Sequence, residues 1–111
     1  MNLMTVDGYS AKIDYDAETD LFRGEILGLN GGADFYGANP EELRQEFKKS
    51  LDVFMEVCKE KGLEPLKQYS GKFNLRIPAE LHAKLAMTAQ AQGKSLNVLA
   101  QEALEKSVTA S

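Results

Sequence analysis

Apolar and polar positions alternate through the first part of the chain. Between residues 9 and 15 the apolar side chains fall on one face of a strand: Tyr9, Ala11, Ile13 and Tyr15. We predict one strand across residues 3–15, a polar turn at 16–20, and two further strands at 21–27 and 33–36. Three strands joined by short turns predict an antiparallel meander.

The pattern then changes to helical spacing. Its apolar positions are Leu43, Phe47, Leu51, Phe54 and Cys58. Asn39 is a favourable N-cap, Pro40 suits the first helical position, and Gly62 favours a helix end. A helix with this stripe must cover one face of the meander, so we predict a βββα unit over residues 1–63, followed by a linker at 64–70.

Alternation returns in a short segment near the end of the chain. In residues 71–77 one face carries Phe73, Leu75 and Ile77, and the other carries Lys72, Asn74 and Arg76. Pro78 ends this predicted strand and suits the start of a helix. Helices are predicted at about 79–92 and 96–107, joined at Gly93. The fold class is therefore α+β, with a βαα unit over residues 71–111.

A βαα unit of about 40 residues is too small for a core of its own without a disulfide, a metal or a partner. Pairing the strand with the same strand of a second chain would cover Phe73, Leu75 and Ile77. We therefore predict a homodimer, possibly within a higher oligomer, with these three residues in the dimer core. The result would be a two-stranded antiparallel ribbon over four helices.

The opposite face of that ribbon would carry Lys72, Asn74 and Arg76. Lysine, asparagine and arginine are residue types that read base edges in the major groove of DNA. The alternative is an ordinary solvated edge strand, on which charges discourage aggregation. We predict that these three side chains contact bases in double-stranded operator DNA.

The start of the last helix suggests a second kind of DNA contact. Lys94, Ser95, Leu96 and Asn97 lie there, and free backbone N–H groups at a helix N-terminus bind phosphate. The alternative is a plain cap after a glycine turn. We predict that these four residues contact the DNA backbone.

Two resemblances extend this interpretation. The residues 73–76 (Phe-Asn-Leu-Arg), Pro78 and the segment 93–97 resemble the ribbon-helix-helix fold of Arc- and MetJ-type repressors, although Lys72 departs from many Arc-type ribbons. Residues 9–16, 21–26 and 37–43, placed before such a unit, resemble the HicB-type antitoxins of bacterial toxin–antitoxin pairs.

The HicB resemblance implies a function for each half. It implies a partial ribonuclease-H-like N-terminal unit that binds and neutralises a small mRNA-cleaving toxin. It also implies a C-terminal dimer that represses its own operon. Many members carry a proline-containing loop after the second strand, where this chain has Gly28-Leu29-Asn30-Gly31-Gly32.

Charge separates the same two halves. The net charge is −4, yet residues 1–67 hold eight Lys/Arg against fourteen Asp/Glu, and residues 68–111 hold five against three. An acidic half suits a small basic toxin, and a basic half suits DNA. No run of 18 apolar residues and no secretory signal is present, and Cys58 is a lone cysteine, so we expect a cytoplasmic protein without membrane contact.

Catalytic and metal-binding patterns are weak. The acidic residues near the turn at 14–20 fit a solvated surface, and His82 has no second histidine or cysteine at ligand spacing. We predict no enzyme activity, no metal and no cofactor. We expect six aromatic residues in the core: Tyr9, Tyr15, Phe22, Phe35, Phe47 and Phe54. The alternative function is a solitary ribbon-helix-helix repressor without a toxin; a metal-dependent nuclease is the third class.

Overall fold

The computed structural model describes residues 2–109; residues 1, 110 and 111, the outer ends of the two predicted units, lie outside this range. It is an α+β chain with an antiparallel sheet followed by three helices. The strands are β1 (Leu3–Val6), β2 (Tyr9–Asp16), β3 (Leu21–Ile26) and β4 (Asp34–Gly37). The helices are α1 (Pro40–Lys61), α2 (Ala79–Ala91) and α3 (Leu96–Thr109).

The chain divides into two compact units, Met1–Ser70 and Gly71–Ser111. The first contains the sheet and α1, and the second contains α2 and α3. Among the described residues, no helix combines the length and the apolar character needed to cross a membrane.

The sheet has the order β1-β2-β3-β4, so β1 and β4 are its two edges. The sequence predicted three strands, and the structure has four because the predicted strand at 3–15 is a hairpin. Its turn consists of Asp7 and Gly8, which have positive φ angles of 52° and 84°. A turn with two positive φ values matches the twist of the flanking strands, and Asp-Gly is a preferred sequence for it.

Helix α1 covers one face of this sheet and begins and ends as predicted. The Asn39 side chain accepts a hydrogen bond of 2.9 Å from the Glu42 N–H, which caps the first turn. At the other end Gly62 has a φ of 66°, and the Leu63 N–H donates to the Cys58 carbonyl. This arrangement satisfies the last carbonyls of the helix.

The core of the first unit lies between α1 and the sheet. Phe47 is fully buried, and Phe35 stacks on it with a ring-centroid separation of 5.0 Å. Cys58 is buried as expected for a small apolar side chain. The prediction for Tyr15 and Phe22 is wrong, since they are 57% and 37% exposed. They form an edge-to-face pair near the β2–β3 turn.

The predicted linker is partly bonded to the first unit. The Lys67 N–H donates to the Gly28 carbonyl, and the Asn30 N–H donates to the Pro65 carbonyl. The Asn30 side chain also donates to the Glu64 carbonyl, and Leu29 pairs with Leu66 in an isolated antiparallel bridge. The predicted boundary after residue 63 stays a prediction, but residues 64–67 are held by the loop at 28–30.

Candidate DNA-binding and partner-binding surfaces

The segment 71–77 has no regular secondary structure within the single chain. A strand needs a neighbouring strand to satisfy its backbone groups. The predicted ribbon with a second chain therefore stays a prediction. Pro78 does precede α2, and the His82 N–H donates to the Pro78 carbonyl as the first helical bond.

The three predicted dimer-core residues lie largely in the open. Phe73 is 72% exposed and Leu75 60%, whereas Ile77 is half-buried. Together with Leu85 of α2 and Leu104 of α3 they line an apolar groove within the second unit. Among described residues 71–109, the only buried apolar side chain is that of Ala89.

The predicted base-reading residues are all exposed. Lys72, Asn74 and Arg76 alternate with the apolar residues of segment 71–77, and none is buried in the chain. Their side chains are therefore open to solvent in the single chain.

The start of α3 supplies hydrogen-bond donors. The Ser95 hydroxyl accepts from the Val98 N–H at 3.1 Å, so Ser95 caps the helix as predicted. The Leu99 N–H donates to the Ser95 carbonyl in the first helical bond. For Leu96 and Asn97 no backbone N–H partner is found in the described part of the chain. These two donors have the geometry that an anion at a helix N-terminus requires.

Lys94 has a partner that the sequence analysis missed. Its Nζ lies 2.7 Å from Oε2 of Glu102, one to two turns into α3. Both side chains are partly exposed, at 35% and 43%. A phosphate bound by Lys94 would have to share or displace this carboxylate. The eight-residue separation across the turn into α3 is not an ordinary helical ion-pair spacing, so pattern alone gave no signal.

The open face of the sheet carries a mixed charge pattern. Arg23 and Asp34 form a hydrogen-bonded ion pair across β3 and β4 at 2.5 Å. This bond, aided by the charge of Asp34, raises the pKa of Arg23. At the β2–β3 turn the Tyr15 hydroxyl donates to Asp20, and that hydrogen bond is the main cause of the raised pKa of Tyr15. Because both pKa values are raised from values that already lie above neutral, neither group releases its proton near neutral pH.

Carboxylate groups that could hold a metal do not converge. Within residues 2–109 no group of three or more histidine, cysteine, aspartate or glutamate side chains is arranged to bind a metal ion. His82 is exposed on α2.

Part of the chain is similar to a known protein family. The HicB family model matches residues 54–104. The matched stretch runs from the last part of α1 through segment 71–77 and α2 into α3, and it includes every predicted DNA-contact residue. The match supports the HicB-type resemblance and, at family level, an antitoxin of a toxin–antitoxin pair.

The four strands lie outside the matched stretch. No curated protein and no solved structure matches the chain significantly.

Proposed function

We propose that this protein is an antitoxin that neutralises a small mRNA-cleaving toxin and represses transcription of its own operon by binding DNA as a homodimer. The HicB match supports the antitoxin class. The toxin contact is assigned to the acidic first unit, and the DNA contact to the basic second unit.

The main support for DNA binding as a homodimer is the uncovered apolar face of the second unit. Phe73 and Leu75 are more than half exposed, and Ala89 is the single buried apolar residue between residues 71 and 109. Burial of apolar area is the main favourable term in folding, at about 25 cal/mol per Å². A unit that buries so little by itself needs a second copy to cover that face.

Pairing segment 71–77 with the same segment of a second copy would supply hydrogen-bond partners for its backbone and cover for its apolar face. The backbone groups of the two segments would bond to each other, and Phe73 and Leu75 would face the helices of the pair. Lys72, Asn74 and Arg76 would then project from the other face at regular spacing. Two copies would also double the positive charge that meets the phosphates.

The phosphate contact follows from the same arrangement. The free N–H groups of Leu96 and Asn97 would bind a phosphate oxygen beside the ribbon, with Ser95 fixing the helix start. Lys94 would add a charge to that contact when it leaves Glu102.

Two measurements on the full-length chain test the proposal. The protein is co-expressed with the small protein encoded in the adjacent reading frame, and cell growth is scored. It is also titrated onto the DNA upstream of its own gene in a gel-shift assay at several salt concentrations. Rescue of growth together with specific, salt-dependent binding is the expected result.

Failure of one measurement separates the alternatives. DNA binding without any growth effect or association with the neighbouring protein would favour a solitary repressor. Growth rescue without DNA binding would remove the repressor half of the proposal. A monomeric protein at micromolar concentration would contradict the dimer.

A further inference from the structure

The edge strand β4 presents backbone groups that no described residue satisfies. The Ile26 N–H donates to the Ala33 carbonyl, and the register continues through Gly24 opposite Phe35. In an antiparallel pair, alternate residues turn their N–H and C=O groups toward the partner. Ala33, Phe35 and Gly37 therefore face β3, whereas Asp34 and Tyr36 face the open edge.

Part of this edge is already covered from α1. The Ser50 hydroxyl donates to the Asp34 carbonyl at 3.2 Å. The N–H of Asp34 and both backbone groups of Tyr36 have no partner among residues 2–109. An incoming extended segment would find these three groups in a row.

An apolar groove runs beside the same edge. It lies between β4 and α1 and is lined by Phe35, Val53, Phe54 and Val57, among others. Val53 is 63% exposed and Val57 40%, and they lie one turn apart on the helix. Neither belongs to the core that α1 forms with the sheet. A strand-addition site needs two elements: unpaired backbone groups on an edge strand, and apolar side chains beside them. Both are present here.

Charge decides which occupant fits. Two copies of the first unit would bring together two regions that each hold fourteen acidic against eight basic residues. Like charges disfavour such pairing, whereas a basic protein would be attracted. The groove lining itself is balanced, because Glu46 pairs with Lys49 there and Asp34 pairs with Arg23. The attraction therefore comes from the acidic excess of the whole first unit.

We propose that the edge of β4 and the adjoining groove on α1 form the docking site for an extended segment of a basic protein, which adds to the sheet as a further strand. This inference rests on the proposed function, since the toxin is the basic protein meant. Backbone bonds to Tyr36 would supply part of the affinity, and apolar side chains of the segment would pack on Val53 and Val57.

The first experiment blocks the edge without removing a bond inside the sheet. Tyr36→Pro removes an N–H that faces outward, and proline is tolerated at such edge positions. Thr5→Pro is the matched control, because Thr5 faces outward from β1 by the same alternation. The probe is the purified protein of the adjacent reading frame, titrated onto each full-length variant by calorimetry.

Tyr36→Pro should weaken binding by about tenfold through the lost hydrogen bond and the altered edge. Thr5→Pro should leave it within about twofold of wild type. A second pair tests the groove with equal added charge: Val53→Lys should weaken binding, whereas Leu63→Lys, at a residue 52% exposed outside the groove, should not.

Hydrogen exchange on the wild-type protein avoids any concern about variant folding. The amides of Asp34 and Tyr36 should exchange rapidly in the protein alone and become protected when the basic protein is added. Protection before the addition would mean that a second copy occupies the edge, and would overturn the choice of occupant.

The possible failures are distinct. If the wild type does not bind the neighbouring protein, the proposed function falls and this inference falls with it. If it binds but Tyr36→Pro and Val53→Lys bind equally well, the docking site is wrong while the proposed function stands. Loss of binding in Tyr15→Lys but not in Val53→Lys would place the site at the β2–β3 turn instead.

Discussion

The two units of this chain differ in how they bury apolar surface. In the first, a 22-residue helix covers a sheet and encloses Phe35, Leu43 and Phe47. In the second, two shorter helices with fewer charged residues than α1 enclose little more than Ala89. The difference shows that a regular amphipathic pattern does not ensure a core, because the pattern must also meet a complementary surface.

The largest effect is expected from a charged residue on the uncovered apolar face of the second unit. Leu75→Asp should abolish dimer formation and DNA binding together, because a carboxylate buried between two chains without a partner costs several kcal/mol. Val53→Asp is the matched control, since Val53 is 63% exposed and Leu75 60%. Sedimentation and gel-shift assays measure both. A Leu75→Asp protein that remains dimeric would contradict the proposal that a second copy covers this apolar face.

The opposite test disturbs the well-packed unit. A Cβ added at Gly24 would lie 2.1 Å from the Phe35 ring, so Gly24→Ala should destabilise the first unit by about 1–3 kcal/mol. Gly32→Ala is the control, because a Cβ there meets no atom within 4 Å. Thermal unfolding gives the stability change, and DNA binding by the second unit should survive. Loss of DNA binding in Gly24→Ala alone would show that the units do not act separately.

A third prediction sharpens the role of the second unit. Arg76→Ala should lose about 1–3 kcal/mol of specific DNA binding, the contribution of a bidentate base contact. Lys94→Ala should instead weaken binding to all sequences alike and flatten the salt dependence, as the loss of a phosphate contact does. Gel shifts with specific and scrambled DNA compare the two. Equal binding by wild type and Arg76→Ala at every salt concentration would contradict the assignment of segment 71–77 as a DNA-binding ribbon.

The smallest expected effect concerns the ion pair at the start of α3. Glu102→Gln should release Lys94 and raise DNA affinity by roughly twofold to fivefold, the range expected of an exposed ion pair. Glu105→Gln removes the same charge from the same helix and serves as the control. If both variants raise affinity equally, the effect comes from net charge, and Lys94 has no specific role.

Local signals in the sequence predicted the helices well. Asn39, Pro40 and Gly62 marked α1 because capping depends on only a few neighbouring residues. The Asp7-Gly8 turn was also readable in principle, because the apolar positions shift across it from Met4 and Val6 to Tyr9 and Ala11. The prediction of a single strand overlooked that shift. The exposure of Tyr15 and Phe22 was not readable, since it depends on where α1 begins along the sheet.

Non-local features gave no such signal. The ion pair between Lys94 and Glu102 joins residues across a turn, and the open backbone groups of Tyr36 follow from the register of β3 and β4. The apolar face of Phe73, Leu75 and Ile77 was predicted from alternation alone. Covering them in the proposed dimer requires a second copy of the chain, and alternation along one strand does not specify how two copies pair.

The bonds between the loop at 28–30 and residues 64–67 determine where a protease should cut. A peptide bond is cleaved only after its backbone leaves its hydrogen bonds and enters the protease. Residues 64–67 are anchored by bonds to Gly28 and Asn30, whereas the described part of the chain shows no backbone bond from Gln68 or Tyr69 to that loop. Limited digestion should therefore release a first fragment that keeps Pro65 and Lys67, and a fragment cut after residue 63 would lose the bridge between Leu66 and Leu29.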